Sequence, residues 1–262
     1  VGFEGLMRDK VLLVSGGTQG LGAGIALAAA EQDAAAVAVV GRNAENGAET
    51  VERLEAAGTP AAFVKADLAD MAQLGSVLET AVERFGRVDA LVNAAGLTTR
   101  GTMLDTTEEL FDAHVAVNLK APFFLMQQVI RHLRERGAPG SIANIITMSS
   151  HGGQPYLAPY VATKAGLAGL TKNAAHAHRW DRIRINGINI GWTETEGEDA
   201  IQRRFHNAGD DWLEKAGRSQ PMGKLGQVDE IADFVVFLLS ERSGVVTGSV
   251  IDWDQMVPGA HD

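Results

Sequence analysis

Seven short runs of β-branched and apolar residues, at 10–15, 36–41, 61–66, 90–93, 141–147, 182–189 and 249–253, alternate with longer stretches of helical period. The helical stretches are 21–32, 45–57, 71–85, 108–136, 159–178 and 229–240. Strands held apart by helices of ten or more residues make βαβ crossovers, and crossovers make a parallel sheet. The runs at 11–14, 37–40 and 142–146 are apolar almost throughout, as strands covered on both faces require. The expectation is an α/β fold, a doubly wound parallel sheet of about seven strands with helices on both faces, forming one domain over residues 1–262. At 262 residues and 45% hydrophobic content the chain can bury a large core. The alternation breaks once, in a polar stretch with two tryptophans, and residues 192–222 are read as a substrate lid within the domain.

Composition excludes several chemistries. With no cysteine there is no disulfide framework, thiolate nucleophile or sulfur-ligated metal, and no metal site is expected. A formal net charge of −10 argues against nucleic acid as a partner. No apolar run approaches the ~18 residues of a membrane span, and the first residues lack the charged-then-apolar layout of a signal peptide. A cytoplasmic protein acting on a small molecule is expected.

The loop Ser15-Gly16-Gly17-Thr18-Gln19-Gly20-Leu21-Gly22 follows the first strand and opens an Ala-rich helix. Glycine allows tight turns and close approach of backbone to a pyrophosphate, and the helix start offers free N–H groups to that phosphate. A tight turn alone would also produce such a loop; the strand before it and the helix after it favour a dinucleotide.

Tyr160-Val161-Ala162-Thr163-Lys164 puts a phenol and an ammonium at i and i+4 on one helix face. Such pairs are common on helix surfaces, but this chain has only two tyrosines, Tyr156 and Tyr160. A phenol titrates near pH 10, and a neighbouring ammonium lowers that by roughly 1–3 units. A tyrosine so tuned could exchange a proton with an alcohol or carbonyl oxygen while a nicotinamide exchanges hydride.

Together these segments resemble the short-chain dehydrogenase/reductase family, whose glycine loop reads T-G-x-x-x-G-x-G and whose catalytic signature is Y-x-x-x-K. The resemblance runs over nearly the whole chain and implies a Rossmann-like fold. It implies that Tyr160 is the general acid/base and that Lys164 also holds the nicotinamide ribose. The family's third catalytic member, a Ser thirteen residues before the Tyr, falls on Thr147. Thr147 keeps the hydroxyl, while Ser149 and Ser150 lie close enough to serve if the loop is shifted. The fourth member, an Asn in a long helix, falls on Asn118. Asp67 and Leu68 stand where the family meets adenine. Asn93-Ala94-Ala95-Gly96 resembles its N-N-A-G turn, with Ala94 replacing the second Asn. Gly191, Thr193 and Thr195 stand where it contacts the nicotinamide carboxamide, although Ile190 replaces the usual Pro before that glycine.

Cofactor choice turns on the end of the second strand. An acidic residue there would bond the ribose hydroxyls and repel a 2′-phosphate. Here Gly41 fills that place and Arg42-Asn43 follow. An arginine can pair bidentately with phosphate, so NADP is favoured over NAD. For the substrate, Thr147, Ser149, His151, Gln154 and Trp192 are the expected contacts, with Tyr156, Glu194, Glu196, His206 and Trp212 as further candidates. This polar and aromatic set suits a polyol, sugar or hydroxy-ketone. Reduction of 3-oxoacyl thioesters is the alternative enzyme reading, and a non-catalytic dinucleotide sensor the alternative class. Family members commonly assemble, so a homotetramer or homodimer is expected.

Overall fold

The computed structural model describes residues 4–259. Seven strands form one parallel sheet in the order β3-β2-β1-β4-β5-β6-β7. They are β1 (Val11–Ser15), β2 (Ala36–Gly41), β3 (Ala61–Lys65), β4 (Ala90–Asn93), β5 (Gly140–Ile145), β6 (Ile183–Ile190) and β7 (Val250–Trp253). The period-2 geometry of a strand divides its side chains between two cores. Leu12 and Val14 face one core, against helices α1 (Gly20–Glu31), α2 (Ala44–Ala56) and α10 (Val228–Leu239). Val11 and Leu13 face the other, against α3 (Met71–Gly75), α4 (Val77–Phe85), α6 (Ala121–Glu135) and α7 (Ala158–His178). Among the described residues, no helix is long and apolar enough to cross a membrane.

The strand order reverses between β1 and β4, where Ser15 pairs with Asn93. The connections leaving these two strands diverge to opposite sides, and the crevice between them lies at the carboxyl edge of the sheet, the usual ligand site of open α/β sheets.

Three elements depart from the expected boundaries. The stretch 71–85 splits at Ser76, whose hydroxyl donates back to the Gln73 carbonyl at 3.0 Å and competes with the helical ladder. The stretch 108–136 is not one helix: α5 (Glu108–Val115) passes through a π-helical turn, Ala116–Lys120, into α6. Pro122 has no N–H to donate, so the wide turn sits where the ladder is already interrupted. The polar segment 192–222 contains two helices, α8 (Glu196–His206) and α9 (Trp212–Arg218). Thr195 caps α8 by accepting from Glu198 N at 3.0 Å, and the indole of Trp212 donates to Asp199 at 2.6 Å to tie the helices together.

Candidate active site

Helix α7 begins with Pro159 in its first turn, where a missing N–H costs nothing, and so brings Tyr160 to the carboxyl edge of the sheet. Lys164, one turn on, is buried at 3% exposure and donates from Nζ to the Ile145 carbonyl at 2.8 Å. Its Nζ lies 5.8 Å from the Tyr160 ring centroid. Burial disfavours the charged form of each group. The Tyr160 phenol is therefore pushed up to about 12, against the pull of a hydrogen bond with the Thr147 side chain. Lys164 is pushed down to about 8. Contrary to expectation, Lys164 is not among the groups that move the phenol: one of its three N–H groups donates to the Ile145 carbonyl, and loss of water dominates the phenol.

Thr147 ends the fifth strand's path and caps the 3₁₀ turn Met148–His151, accepting from Ser149 N at 3.2 Å. Its hydroxyl donates to Ser149 Oγ at 3.3 Å, and Ser149 in turn donates to Gln154 Oε1 at 2.7 Å. Gln154 takes a left-handed φ of 44°, uncommon outside glycine, to make that contact. Of the two hydroxyls, it is Thr147 whose side chain lowers the Tyr160 phenol, while Ser149 is tied to Thr147 and Gln154. Ser150 turns away to Asn189 at 3.1 Å. The His151 ring lies 2.8 Å from Asp252 on β7.

The π turn aims Asn118 inward, fully buried. Its Oδ1 accepts from Leu97 N at 2.7 Å, and its Nδ2 reaches the Leu97 carbonyl at 2.9 Å and His114 Nδ1 at 3.1 Å. His114 Nε2 lies 3.0 Å from the Thr99 carbonyl. These partners assign a neutral ring with its proton on Nε2, and burial lowers its pKa in the same sense. His114 escaped the sequence reading, although its place four residues before Asn118 puts both on one helix face.

Arg100 escaped it too. Gly101 bridges to Leu157, with Gly101 N donating to the Tyr156 carbonyl at 3.0 Å and Ala158 N to the Gly101 carbonyl at 2.9 Å. This seats Arg100 beside Tyr156 and the start of α7. Its guanidinium lies 5.4 Å from the Tyr156 ring centroid and 5.7 Å from that of Phe205 on α8. Nη1 donates to the Thr98 carbonyl at 3.1 Å, and Nη2 is 3.4 Å from His206 Nε2. Nε is buried with no partner among the described residues, and no carboxylate pairs with the side chain. An unpaired buried donor of a charged group costs roughly 1–3 kcal/mol or more.

A family model described as enoyl-(acyl carrier protein) reductase matches residues 16–255. The chain is 36% identical to an oxidoreductase of Thermotoga maritima over 94% of its length and 96% of the relative's. It is 31% identical to the 3-oxoacyl-(acyl-carrier-protein) reductase of the same organism, over 95% and 97%. It is 32% identical to a 2-dehydro-3-deoxy-D-gluconate 5-dehydrogenase of Dickeya dadantii, over 95% of each. Among solved structures, a short-chain dehydrogenase/reductase from Serratia marcescens superposes with a TM-score of 0.85 at 30% identity, over 95% of this chain and 98% of that one. An actinorhodin polyketide ketoreductase variant with NADPH superposes at 0.90 and 28% identity, over 96% and 98%. The chain belongs to the short-chain dehydrogenase/reductase family. It is an oxidoreductase, and its family binds NAD or NADP.

In this short-chain dehydrogenase/reductase the glycine loop turns tightly at the end of β1. Gly16 has φ +70°, and a Cβ there would lie 2.6 Å from the Ala95 backbone; one on Gly22 would lie 2.1 Å from the Gly16 carbonyl oxygen. Gln19 precedes α1 without capping it, whereas Asn43 and Asp70 cap α2 and α3. The first N–H groups of α1 therefore face the crevice uncapped. Ser15 and Asn93 are buried and linked: Ser15 Oγ donates to Asn93 at 3.4 Å, Asn93 to Asn144 at 2.8 Å, and Asn144 to Thr171 at 2.9 Å. This chain fixes β1, β4, β5 and α7 to one another. Arg42 is exposed, with no ion-pair partner among the described residues. Thr18 is buried beside Gly41, and Asp67 accepts from Ala69 N at 3.0 Å just past β3, ahead of buried Leu68. Thr193 donates to the Gly191 carbonyl at 3.0 Å. Trp192 donates to Glu198 Oε1 at 2.7 Å, and its ring lies 6.3 Å from that of Trp212.

Proposed function

We propose that this chain interconverts a secondary alcohol and the corresponding ketone of a small hydroxylated molecule, a polyol, sugar or hydroxy-ketone, using NADP in preference to NAD. The buried Lys164 one helical turn from Tyr160, its Nζ 5.8 Å from the phenol ring and bonded to the end of β5, carries this reading, and the pull of the Thr147 side chain on the phenol supports a second O–H group on the same substrate oxygen. The uncapped start of α1, the close turn at Gly16 and Gly22, and the free Arg42 fit a dinucleotide bearing a 2′-phosphate. When bound, the nicotinamide supplies the hydride exchange.

In the oxidation direction the carbinol hydrogen would leave with the electron pair of its C–H bond for the nicotinamide, and the substrate O–H proton passes to the Tyr160 oxygen as Tyr160 gives up its own proton toward neutral Lys164. In reduction Tyr160 returns that proton to the nascent alkoxide. Thr147 orients and polarises the same oxygen. Burial makes Lys164, at about 8, a stronger acid than the phenol at about 12. Lys164 is thus the group able to resupply the Tyr160 proton. Asn118, held by Leu97 and His114, supports the space beside Lys164; a Cβ on Gly96 would lie 3.8 Å from Lys164 Nζ and 4.0 Å from Asn118 Oδ1. Residues 192–222 act as the substrate lid. Trp192 and the Ser149–Gln154 pair line the substrate side, a polar surface more suited to hydroxyls than to an acyl chain.

The Dickeya relative's name supports a sugar-class substrate, and the Thermotoga relative's name keeps 3-oxoacyl thioester reduction as the competing reading. Assembly through α7 is consistent with Ala162, Ala165 and Gly169, which remain exposed on the free subunit. The test is stopped-flow nicotinamide absorbance over a panel of polyols, sugars, hydroxy-ketones and one acetoacetyl thioester, with wild type and Tyr160→Phe. Turnover of the hydroxylated compounds, lost in the variant, supports the proposal. Turnover of the thioester alone, or near-normal activity in the variant, overturns it.

A further inference from the structure

Arg100 stands beside the proposed chemistry without any charge of its own to balance. Its segment is bridged to the start of α7 through Gly101 and Leu157, and the guanidinium is close enough for its charge to lower the Tyr160 phenol. Tyr156 and Phe205 cover its faces and leave its edges to do the binding. One edge, Nη1, is taken by the Thr98 carbonyl. The other is the side-on fork of Nε and Nη2: Nε has no partner, and Nη2 has only the long contact with His206 Nε2 at 3.4 Å. That imidazole nitrogen stands where one oxygen of a carboxylate would lie, and Nε, closed to solvent in this arrangement, is open to the second oxygen only once His206 moves.

We propose that Arg100 binds the carboxylate of an acidic sugar, so that the substrate is an aldonic acid or its keto form rather than a neutral polyol. The carboxylate pairs side-on with Nε and Nη2, moving His206 aside, while a secondary alcohol further along the same carbon chain faces Tyr160 and Thr147. Planar pairing of this kind is what a guanidinium offers and an ammonium does not.

Charge supports the choice of a monoanion. Arg100 and Glu198 are both close enough for their charges to act on the Tyr160 phenol, in opposite directions. Glu198 is held in the cleft by Trp192 Nε1 and Gln202 Nε2, each at 2.7 Å. Its charge opposes a phosphate dianion more strongly than a single carboxylate, and its remaining acceptor capacity suits sugar hydroxyls. On a chain of net charge −10, an acidic substrate needs such a local cation to bind at all.

This inference rests on the sugar-class reading above, and the experiment separates the two. D-gluconate and its uncharged counterpart D-glucitol are compared as substrates by kcat/KM, and as ligands of the NADP-loaded protein by quenching of tryptophan fluorescence. The wild type should favour the acid by about 100-fold or more, the scale of a bidentate charged pair. Arg100→Met should collapse that ratio to within about 3-fold, and Arg100→Lys should restore only part of it. NADPH titration of each variant reports whether its cofactor cleft is folded. If neither compound turns over but the acid still binds in an Arg100-dependent manner, the sugar reading falls and the carboxylate site stands. A wild type that binds and turns over the two equally, or a preference that survives in Arg100→Met, overturns the proposal.

Discussion

The Lys164 ammonium points past Tyr160, not at it: Nζ sits 5.8 Å from the ring centroid and donates a hydrogen bond to the Ile145 carbonyl at 2.8 Å. One helical turn separates the two residues, yet burial drives their acidities apart. In water a phenol and a lysine titrate within about half a unit of each other. Here the phenol stands at about 12 and the lysine at about 8. With that order of acidities Lys164 gives up its proton before Tyr160 does, which is what the proposed resupply of Tyr160 requires.

The tyrosine half of that statement can be measured directly, because Tyr156 and Tyr160 are the only tyrosines in the chain. Ultraviolet phenolate absorbance of wild type minus Tyr160→Phe, without cofactor, should show a midpoint near 12. A midpoint below about pH 10, the free phenol's value, would mean that Lys164 governs the phenol after all.

The lysine half is a stability prediction. Below pH 8 folded and unfolded chains both hold the Lys164 proton, and the folded state bears the whole cost of the buried cation. Between about 8 and 10.5 only the unfolded chain binds it, so stability rises with pH across that window. Lys164→Met removes the cation, worth ~3 kcal/mol, and loses one hydrogen bond, worth ~1 kcal/mol. The cofactor-free variant should be inactive yet about 2 kcal/mol more stable than wild type at pH 7, with most of that gain gone by about pH 10. Urea melts at both pH values decide it. A variant less stable at pH 7, or a gain independent of pH, would contradict the buried charge.

Thr147 draws the phenol downward through a hydrogen bond, and Ser149 reaches the site only through Thr147 and Gln154. Thr147→Val should lower kcat by about 10²-fold or more, in the usual range for a lost hydroxyl that stabilises developing charge, and should move the Tyr160 midpoint higher still. Thr147→Ser should be tolerated and Ser149→Ala mild. The opposite pattern in steady-state kinetics would give the role to Ser149.

What could be read from the sequence was whatever depends on local spacing. Tyr160 and Lys164 fall on one face because four residues make a helical turn, and all seven strands were marked by their own apolar runs. What depends on register between distant strands was hidden. Ser15 and Asn93 read as motif residues, and the sheet places them opposite each other, with Ser15 donating to Asn93 and Asn93 to Asn144. The long helix through Asn118 kept its apolar period across a π turn, so nothing in the pattern marked the break. Arg100 was invisible for the same reason: its neighbours Tyr156 and Phe205 come from two other segments brought together only by the fold.

Cofactor choice rests on the end of β2. Arg42 is exposed, lacks an ion-pair partner among the described residues, and precedes Asn43, whose Oδ1 caps α2 by accepting from Glu45 N at 2.9 Å. Nothing there competes for a 2′-phosphate. Gly41 offers no carboxylate to a ribose, and the structure shows why a larger residue is disfavoured: a Cβ at that position would lie 2.6 Å from Thr18 Oγ1, in the wall of the glycine loop. Gly41→Asp would therefore disturb the loop as well as repel phosphate, and a change in its cofactor preference could come from either effect. Arg42→Ala isolates the charge. Hydrogen bonds to charged groups contribute roughly 1.5–3 kcal/mol, a factor of about 10 to 150 in affinity. The variant should bind NADPH more weakly by an amount in that range and NADH as before, and raising the salt concentration should narrow the gap by screening an exposed pair. Fluorescence titration of both cofactors with both proteins is sufficient. Equal affinity of the wild type for NADH and NADPH would make Arg42 a solvated surface residue and remove the preference for NADP.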